Sequence, residues 1–476
     1  MCRIFWGLVL MIATTVLLAN SPARSAPLGV TWGATYGFGK VKAEPFMPQA
    51  RKLGASFSRV TLYWSQLEPK EGVSRWNDLD AYTSQILSPE EAVLTLASAS
   101  PWATRSKTWV FPSSPAADAA KYTAFIRGVV QHVKGKVRYF QNDNEPNNPF
   151  FWSGTAEEFA AQQQLFYRAV KEADPSAMVV LGGCDGLFDP TNADPFPNQE
   201  TNVTFWKQVL ASAGNSYDLF DLHLYGNPYT IPERVAAVRD MMRTVGTDKP
   251  IIVMEYHGPS FFEFKSNRRW WRMLQGPGAS PDAVSRLREQ AATLPMETRM
   301  FLDTQDPSSV ERLTRLQAED FVVRNMLALA SGVQRTAFFD LWHDPTEADA
   351  ANAMLHGTFR LLEQDANHVL TKETPLATIF RHLSTAMSGQ TRVSRIAISE
   401  HSDVYAFRLE RTQRSPLLVI WRRPHSVGSD ADTLLVDVPW KEKAEHGTTA
   451  RGDKADFTKK SGVLRVHVSD MPIFID

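Results

Sequence analysis

Residues 137 to 147 read Val-Arg-Tyr-Phe-Gln-Asn-Asp-Asn-Glu-Pro-Asn, a short apolar strand that runs straight into a polar cluster centred on Glu145. Residues 250 to 258, Pro-Ile-Ile-Val-Met-Glu-Tyr-His-Gly, repeat the pattern with four consecutive apolar residues and then an acid, Glu255. Such runs read as strands buried on both faces, as in a parallel sheet covered by helices. The fold that gathers several parallel strand ends around one cleft is the α/β barrel, where a carboxylate past one strand can face a carboxylate past another. Two acids brought together in that way are what glycosidic bond cleavage requires. One protonates the leaving oxygen, and the other attacks or supports the anomeric carbon.

The rest of the chain supplies the other strands. Apolar runs at 28–32, 56–64, 92–98, 137–141, 177–182, 218–225, 250–255 and 336–342 make eight, and helical spacing separates them, for example over 44–53 and 122–133. Thr155-Ala-Glu-Glu158 reads as a capping box opening a further helix. Arg59 is out of place in its apolar strand and must find a carboxylate if it is buried. His223 and Tyr225, two residues apart, fall on one side of theirs. Glycine-rich residues 33–39 read as a connection, and 256–334 as a long insertion, either a substrate wall or a helical subdomain. Beyond 385 the texture changes to short strands at 404–409, 417–421, 434–438, 463–468 and 472–475 spaced by turn residues, the pattern of a β-sandwich. The expected architecture is therefore α/β: a (β/α)8 TIM barrel over 26–385 and a β-sandwich accessory domain over 386–476.

Asn144-Glu145-Pro146 after the fourth strand and Glu255 after the seventh resemble the acid/base and nucleophile strands of the clan A retaining glycoside hydrolases. Within that clan the chain most resembles glycoside hydrolase family 39, including its bacterial exopolysaccharide-cleaving endoglycosidases. The longest match is Trp64-Ser-Gln-Leu-Glu-Pro-Lys-Glu-Gly-Val-Ser-Arg-Trp-Asn-Asp-Leu-Asp80, similar to the loop after the second strand in these enzymes. The resemblance implies catalytic residues Glu145 and Glu255, with Glu255 the nucleophile supported by Arg59 and Tyr225. It makes Asn144, Arg59, His223 and Tyr225 substrate-site residues; Trp102 and Trp152 in cleft-side loops and Trp342 at the end of the eighth strand are further candidates to meet the sugar, and with His223 and His257 lacking a third ligand at a recognisable spacing no metal and no cofactor is expected. The two carboxylates should stand about 5 Å apart, the separation that selects retention through a covalent intermediate. Desolvation by neighbouring Trp and Phe side chains should raise the pKa of Glu145.

Residues 1–25, with Arg3, an apolar run and Ala-Arg-Ser before Ala26, read as a secretory signal peptide, with an uncleaved anchor as the alternative. The mature chain is expected to be exported, periplasmic or secreted, monomeric, with no membrane span and with a polysaccharide or oligosaccharide as its partner. Cys184 would then stand alone, without a disulfide. A net charge of -1 argues against nucleic acid. An exo-acting β-xylosidase-like enzyme and a catalytically silent carbohydrate-binding barrel are the rival readings. Trp102, Trp109, Phe151, Trp152, Phe262 and Trp271 are the aromatic residues expected in cleft-side loops.

Overall fold

The computed structural model describes residues 27–32, 46–186, 199–275, 279–343, 350–367 and 369–476. Residues 1–25, expected to be a signal peptide, and the expected glycine-rich connection at 33–39 lie outside them. Eight parallel strands close into a barrel: β1 (Leu28–Thr31), β2 (Phe57–Tyr63), β3 (Glu91–Ala97), β4 (Tyr139–Asn142), β5 (Met178–Cys184), β6 (Leu219–Leu222), β7 (Ile251–Val253) and β8 (Val333–Phe339). The first and last strands pair through Leu28 with Thr336 and Thr31 with Phe339. Strands β1 to β7 are almost wholly buried, which is why they read as apolar runs, while β8 is buried over Thr336–Phe338 and opens at Gln334 and Arg335.

The barrel interior is layered. Phe57, Val93, Tyr139, Val180, Leu219, Ile252 and Ala337, one from each of seven strands, pack together as an apolar plug. Below it the Arg335 guanidinium lies 5.1 Å from the ring centre of Phe57 and 5.0 Å from that of Tyr139, and it pairs with Glu91 at 2.6 Å. Two residues further along four strands, the same inward face turns polar: Arg59 follows Phe57, Thr95 follows Val93, Gln141 follows Tyr139, and Asp221 follows Leu219. All four are buried. This change from apolar plug to polar layer marks the end of the barrel that carries the chemistry.

Helices surround the barrel. Ala156–Ala173 opens with the expected capping box: Thr155 Oγ1 accepts from the Glu158 amide, and Glu158 accepts from the Thr155 amide. The connection after β7 holds short helices and then the 24-residue helix Pro307–Ala330.

The C-terminal region adds a two-stranded pair, β9 (Leu362–Gln364) with β10 (Leu370–Glu373), and two antiparallel sheets. One sheet joins β11 (Gln390–Ile396), β12 (Val404–Arg411), β13 (Leu417–Arg422), β18 (Ile473–Ile475) and β15 (Gly447–Thr449). The other joins β14 (Leu434–Pro439), β17 (Val463–Val468) and β16 (Phe457–Lys460). Leu418 and Ile420 face the sandwich core, while Leu417, Val419 and Trp421 face the main core of the barrel and its helices. The unbroken apolar run of β13 follows from having both faces covered. Trp421 ties the two regions by donating to the Tyr229 hydroxyl at 3.0 Å.

Candidate active site

β4 delivers its polar cluster through two left-handed residues, Asp143 with φ 57° and Glu145 with φ 41°. That conformation is unusual for glutamate and has to be held by its surroundings. Asp143 accepts from the Ser98 amide at 2.9 Å and the Ser98 hydroxyl at 2.6 Å, tying the end of β4 to the end of β3. The Glu145 carbonyl accepts from the Asn148 amide at 2.8 Å, and its side chain is buried.

Glu255 sits just past β7. One of its oxygens is paired with the Arg59 guanidinium, and the other accepts from the Tyr225 hydroxyl at 2.7 Å. Arg59 spends its other donors on Asn144 Oδ1 and, through Nε, on Thr95 Oγ1 at 2.9 Å and Gln141 Oε1 at 2.8 Å. His223 Nδ1 lies 2.5 Å from Glu145 Oε1 and 3.6 Å from Glu255 Oε2, so the imidazole stands between the two acids. Its Nε2 lies 3.3 Å from Asp221, whose carboxylate also accepts from the Met254 amide at 2.8 Å and from Gln141 at 2.6 Å.

The end of β6 is fixed from behind. Arg234 donates to the carbonyls of Tyr225 and His223 at 2.7 and 3.1 Å, and Arg324 donates to that of Leu224 at 2.7 Å. Arg324 is itself paired with Asp320 one helical turn away.

The two glutamates differ sharply in charge preference. Burial, reinforced by the nearby Asp185 carboxylate, pushes Glu145 up to about 8. Burial would raise Glu255 as well, but the positive charges of His223 and Arg59 and the hydrogen bonds from Tyr225 and Arg59 outweigh it and hold Glu255 below its ordinary value. Burial pulls His223 down, and Glu255 and Asp221 overcome that effect, keeping the imidazole well above its usual range. Burial as the main cause of the raised Glu145 pKa is what the sequence suggested.

Donor atoms of Glu145, His223 and Glu255 all lie within 4.8 Å of one another. That spacing would suit a small cation as well as a proton-sharing acid pair. A guanidinium bonded directly to Glu255 opposes a second positive charge there, and the split between the two acids favours one proton kept on Glu145.

Six residues singled out in the sequence thus come together: Arg59, Asn144, Glu145, His223, Tyr225 and Glu255. The three tryptophans make their polar and ring contacts with other residues. Trp102 donates its indole N–H to the Glu68 carbonyl at 2.8 Å and packs edge-on against Trp64. Trp152 is 2% exposed, set edge-on to Phe159, with its indole N–H directed to the Thr155 carbonyl, so it has no ring face free for a sugar. Trp342 packs edge-on to Trp32 with ring centres 4.3 Å apart, and its buried indole N–H meets no partner among the described residues. Phe262 is buried too, whereas Trp109 and Phe151 stay accessible. Sequence reasoning missed Thr95, Gln141, Asp221, Arg234 and Arg324. The first three had a signal, since each lies two residues past an apolar residue facing the barrel interior.

No protein-family model matches the sequence, and no curated protein matches it. Solved structures do match in fold. A family 39 glycoside hydrolase from the gut symbiont Bacteroides cellulosilyticus WH2 aligns with a TM-score of 0.61 at 12% identity, covering 95% of this chain and 81% of that one. A monomeric β-xylosidase from Caulobacter crescentus CB15 aligns at 0.58 and 14% identity, over 95% and 97%. A GH39 enzyme from Xanthomonas axonopodis pv. citri aligns at 0.55 and 15% identity, over 95% and 94%. The likeness runs through nearly the whole chain and is one of fold.

Proposed function

We propose that the chain is a retaining glycoside hydrolase that cleaves O-glycosidic bonds of a polysaccharide within the chain, with a bacterial exopolysaccharide as its substrate. The observation that carries this reading is the approach of Glu145 and Glu255 to within 4.8 Å, close to the separation that leaves no room for an intervening water and so requires a covalent intermediate. Their opposite protonation preferences support the assignment of roles.

In the first step Glu255, ionised and oriented by Arg59 and Tyr225, attacks the anomeric carbon as Glu145 gives its proton to the leaving oxygen. In the second, Glu145 takes a proton from water, which displaces Glu255 and releases the sugar. Asn144, its Oδ1 held by Arg59, keeps its amide N–H groups for the 2-hydroxyl of the sugar. Trp342 is the proposed floor of the site. We read residues 26–385 as the catalytic barrel unit and 386–476 as the accessory sandwich, in a monomeric chain exported by its N-terminal segment. Among the described residues no helix is long and apolar enough to cross a membrane.

Exo-acting β-xylosidase-like cleavage is a second reading, favoured by the fold likeness to the Caulobacter β-xylosidase. The test is to incubate the protein, beside Glu145→Gln and Glu255→Gln, with bacterial exopolysaccharides, mannans, xylans and aryl β-glycosides, following reducing ends and product length. Short oligosaccharides that disappear in both variants support the endo reading, and monosaccharide release supports the exo one. Binding without turnover in the wild type would make the chain a carbohydrate-binding barrel.

A further inference from the structure

The loop that begins at Glu145 does not end at the acid. Within one turn it presents Phe150, 68% exposed, and Phe151 beside it, with ring centres 4.9 Å apart at right angles. Phe151 meets Phe111 from the loop after β3 at 4.8 Å, again edge to face, and Phe111 meets the buried Tyr63 at 5.2 Å. Trp109, two residues before Phe111, is 54% exposed. Scattered exposed apolar residues need no explanation, but a linked run of rings leading outward from a catalytic loop does.

The two loops are fastened together. The Ser113 amide donates to the Phe151 carbonyl at 2.7 Å, the Ser153 amide donates back to the Ser113 carbonyl at 2.9 Å, and the Ser65 hydroxyl donates to the Trp109 carbonyl. In the same turn the Phe150 amide donates to Asn148 Oδ1 at 3.0 Å, while the Asn148 amide donates to the Glu145 carbonyl. The backbone that carries the rings is thus held in place before anything binds, which lowers the ordering cost of an interaction made there.

We propose that Trp109, Phe150 and Phe151 form a stacking platform for the apolar faces of pyranose rings in an extended polysaccharide, on the leaving-group side of Glu145. This rests on the reading of Glu145 as the general acid. The acid must touch the glycosidic oxygen, so the sugar beyond that oxygen lies over the acid's own loop, and these rings are what the loop offers. Axial C–H faces of sugars suit aromatic faces, and exposed rings spaced along an open surface suit a chain that continues past the cleavage point. The occupant is therefore a polymer and not a single terminal sugar.

The experiment compares wild type, Phe150→Ala and Trp109→Ala on the polysaccharide that is cleaved and on an aryl β-glycoside of the same sugar, together with affinity electrophoresis in gels containing the polysaccharide. The ratio of kcat/KM on polymer to that on the aryl glycoside falls about tenfold in each variant, through KM more than kcat, and migration in the gel is less retarded. An unchanged ratio with unchanged retardation overturns the platform. If the wild type binds polymer but turns nothing over, the hydrolase reading fails, and the gel alone decides: lost retardation in Phe150→Ala supports the platform, and full retardation overturns it. A change from dimer to monomer by light scattering in Phe150→Ala, with polymer affinity intact, would assign the rings to a second copy of the chain and overturn it as well.

Discussion

His223 stands between Glu145 and Glu255, with Nδ1 2.5 Å from a carboxylate oxygen of the first and 3.6 Å from one of the second. One imidazole therefore sees an acid that burial keeps protonated to about pH 8 and an acid that positive neighbours keep ionised below its ordinary value.

The rate should follow a bell in pH. The acid limb belongs to Glu255, which must be ionised, and the alkaline limb to Glu145, which must be protonated and loses its proton near 8. His223 lowers the pKa of Glu145 by its charge and its hydrogen bond. In His223→Asn the alkaline limb of kcat/KM should therefore move upward while the maximum rate falls. A limb that moves down would show that His223 acts on some other group.

Arg59→Met leaves Glu255 with the Tyr225 hydroxyl as its remaining direct hydrogen-bond donor and removes the link to Asn144. Loss of a single preorganised donor at a developing charge costs about 10² to 10³ in rate, and that is the expected fall in kcat/KM. The acid limb should shift to higher pH, because Glu255 loses the guanidinium that favours its charged form. Thermal melting should drop too, since removing one partner of a buried pair strands the other. Full activity in this variant would separate Arg59 from the nucleophile.

How far the sequence could be read follows from what each element needs. The barrel strands were legible because burial on both faces demands apolar runs, and the capping box before Ala156–Ala173 was legible because a helix start has local chemistry. Glu145, Glu255, Arg59 and Tyr225 stood out as polar residues at strand ends or inside strands. Asp221 and Gln141 carry only the weaker signal of lying two residues past an inward apolar one, which gives no sign of a partner 80 positions away. β15 and β16, three and four residues long, and the half-exposed β11 carry too little apolar pattern to be recognised. Trp152 was misread because a loop aromatic can face core or cleft, and only the packing of Phe159 against it decides.

Stability should fall as pH rises through the neutral range. Burial raises Asp143 to about 6, Glu263 in the connection after β7 to about 7, and Glu145 to about 8. The folded chain thus holds these protons more tightly than the unfolded chain, whose carboxyls release them near 4. Unfolding is then favoured progressively between about pH 4 and pH 8. Glu255 has the opposite sign, and its contribution is lost as pH falls through its depressed folded value. Tm should be higher near pH 5 than at about pH 8.5, and Glu145→Gln should narrow the difference. A Tm that rises toward alkaline pH would contradict the assigned directions.

The central claim is double displacement by two glutamates, and the stereochemistry of the first product tests it most directly. With the substrate found in the panel, proton NMR during the first minutes of cleavage reports the anomeric configuration of the new reducing end before mutarotation scrambles it. The account predicts the same configuration as the bond that was cut, because Glu145 and Glu255 approach to within 4.8 Å and one must attack carbon. A first product of inverted configuration would mean that water attacks directly, and it would contradict the assignment of Glu255 as nucleophile.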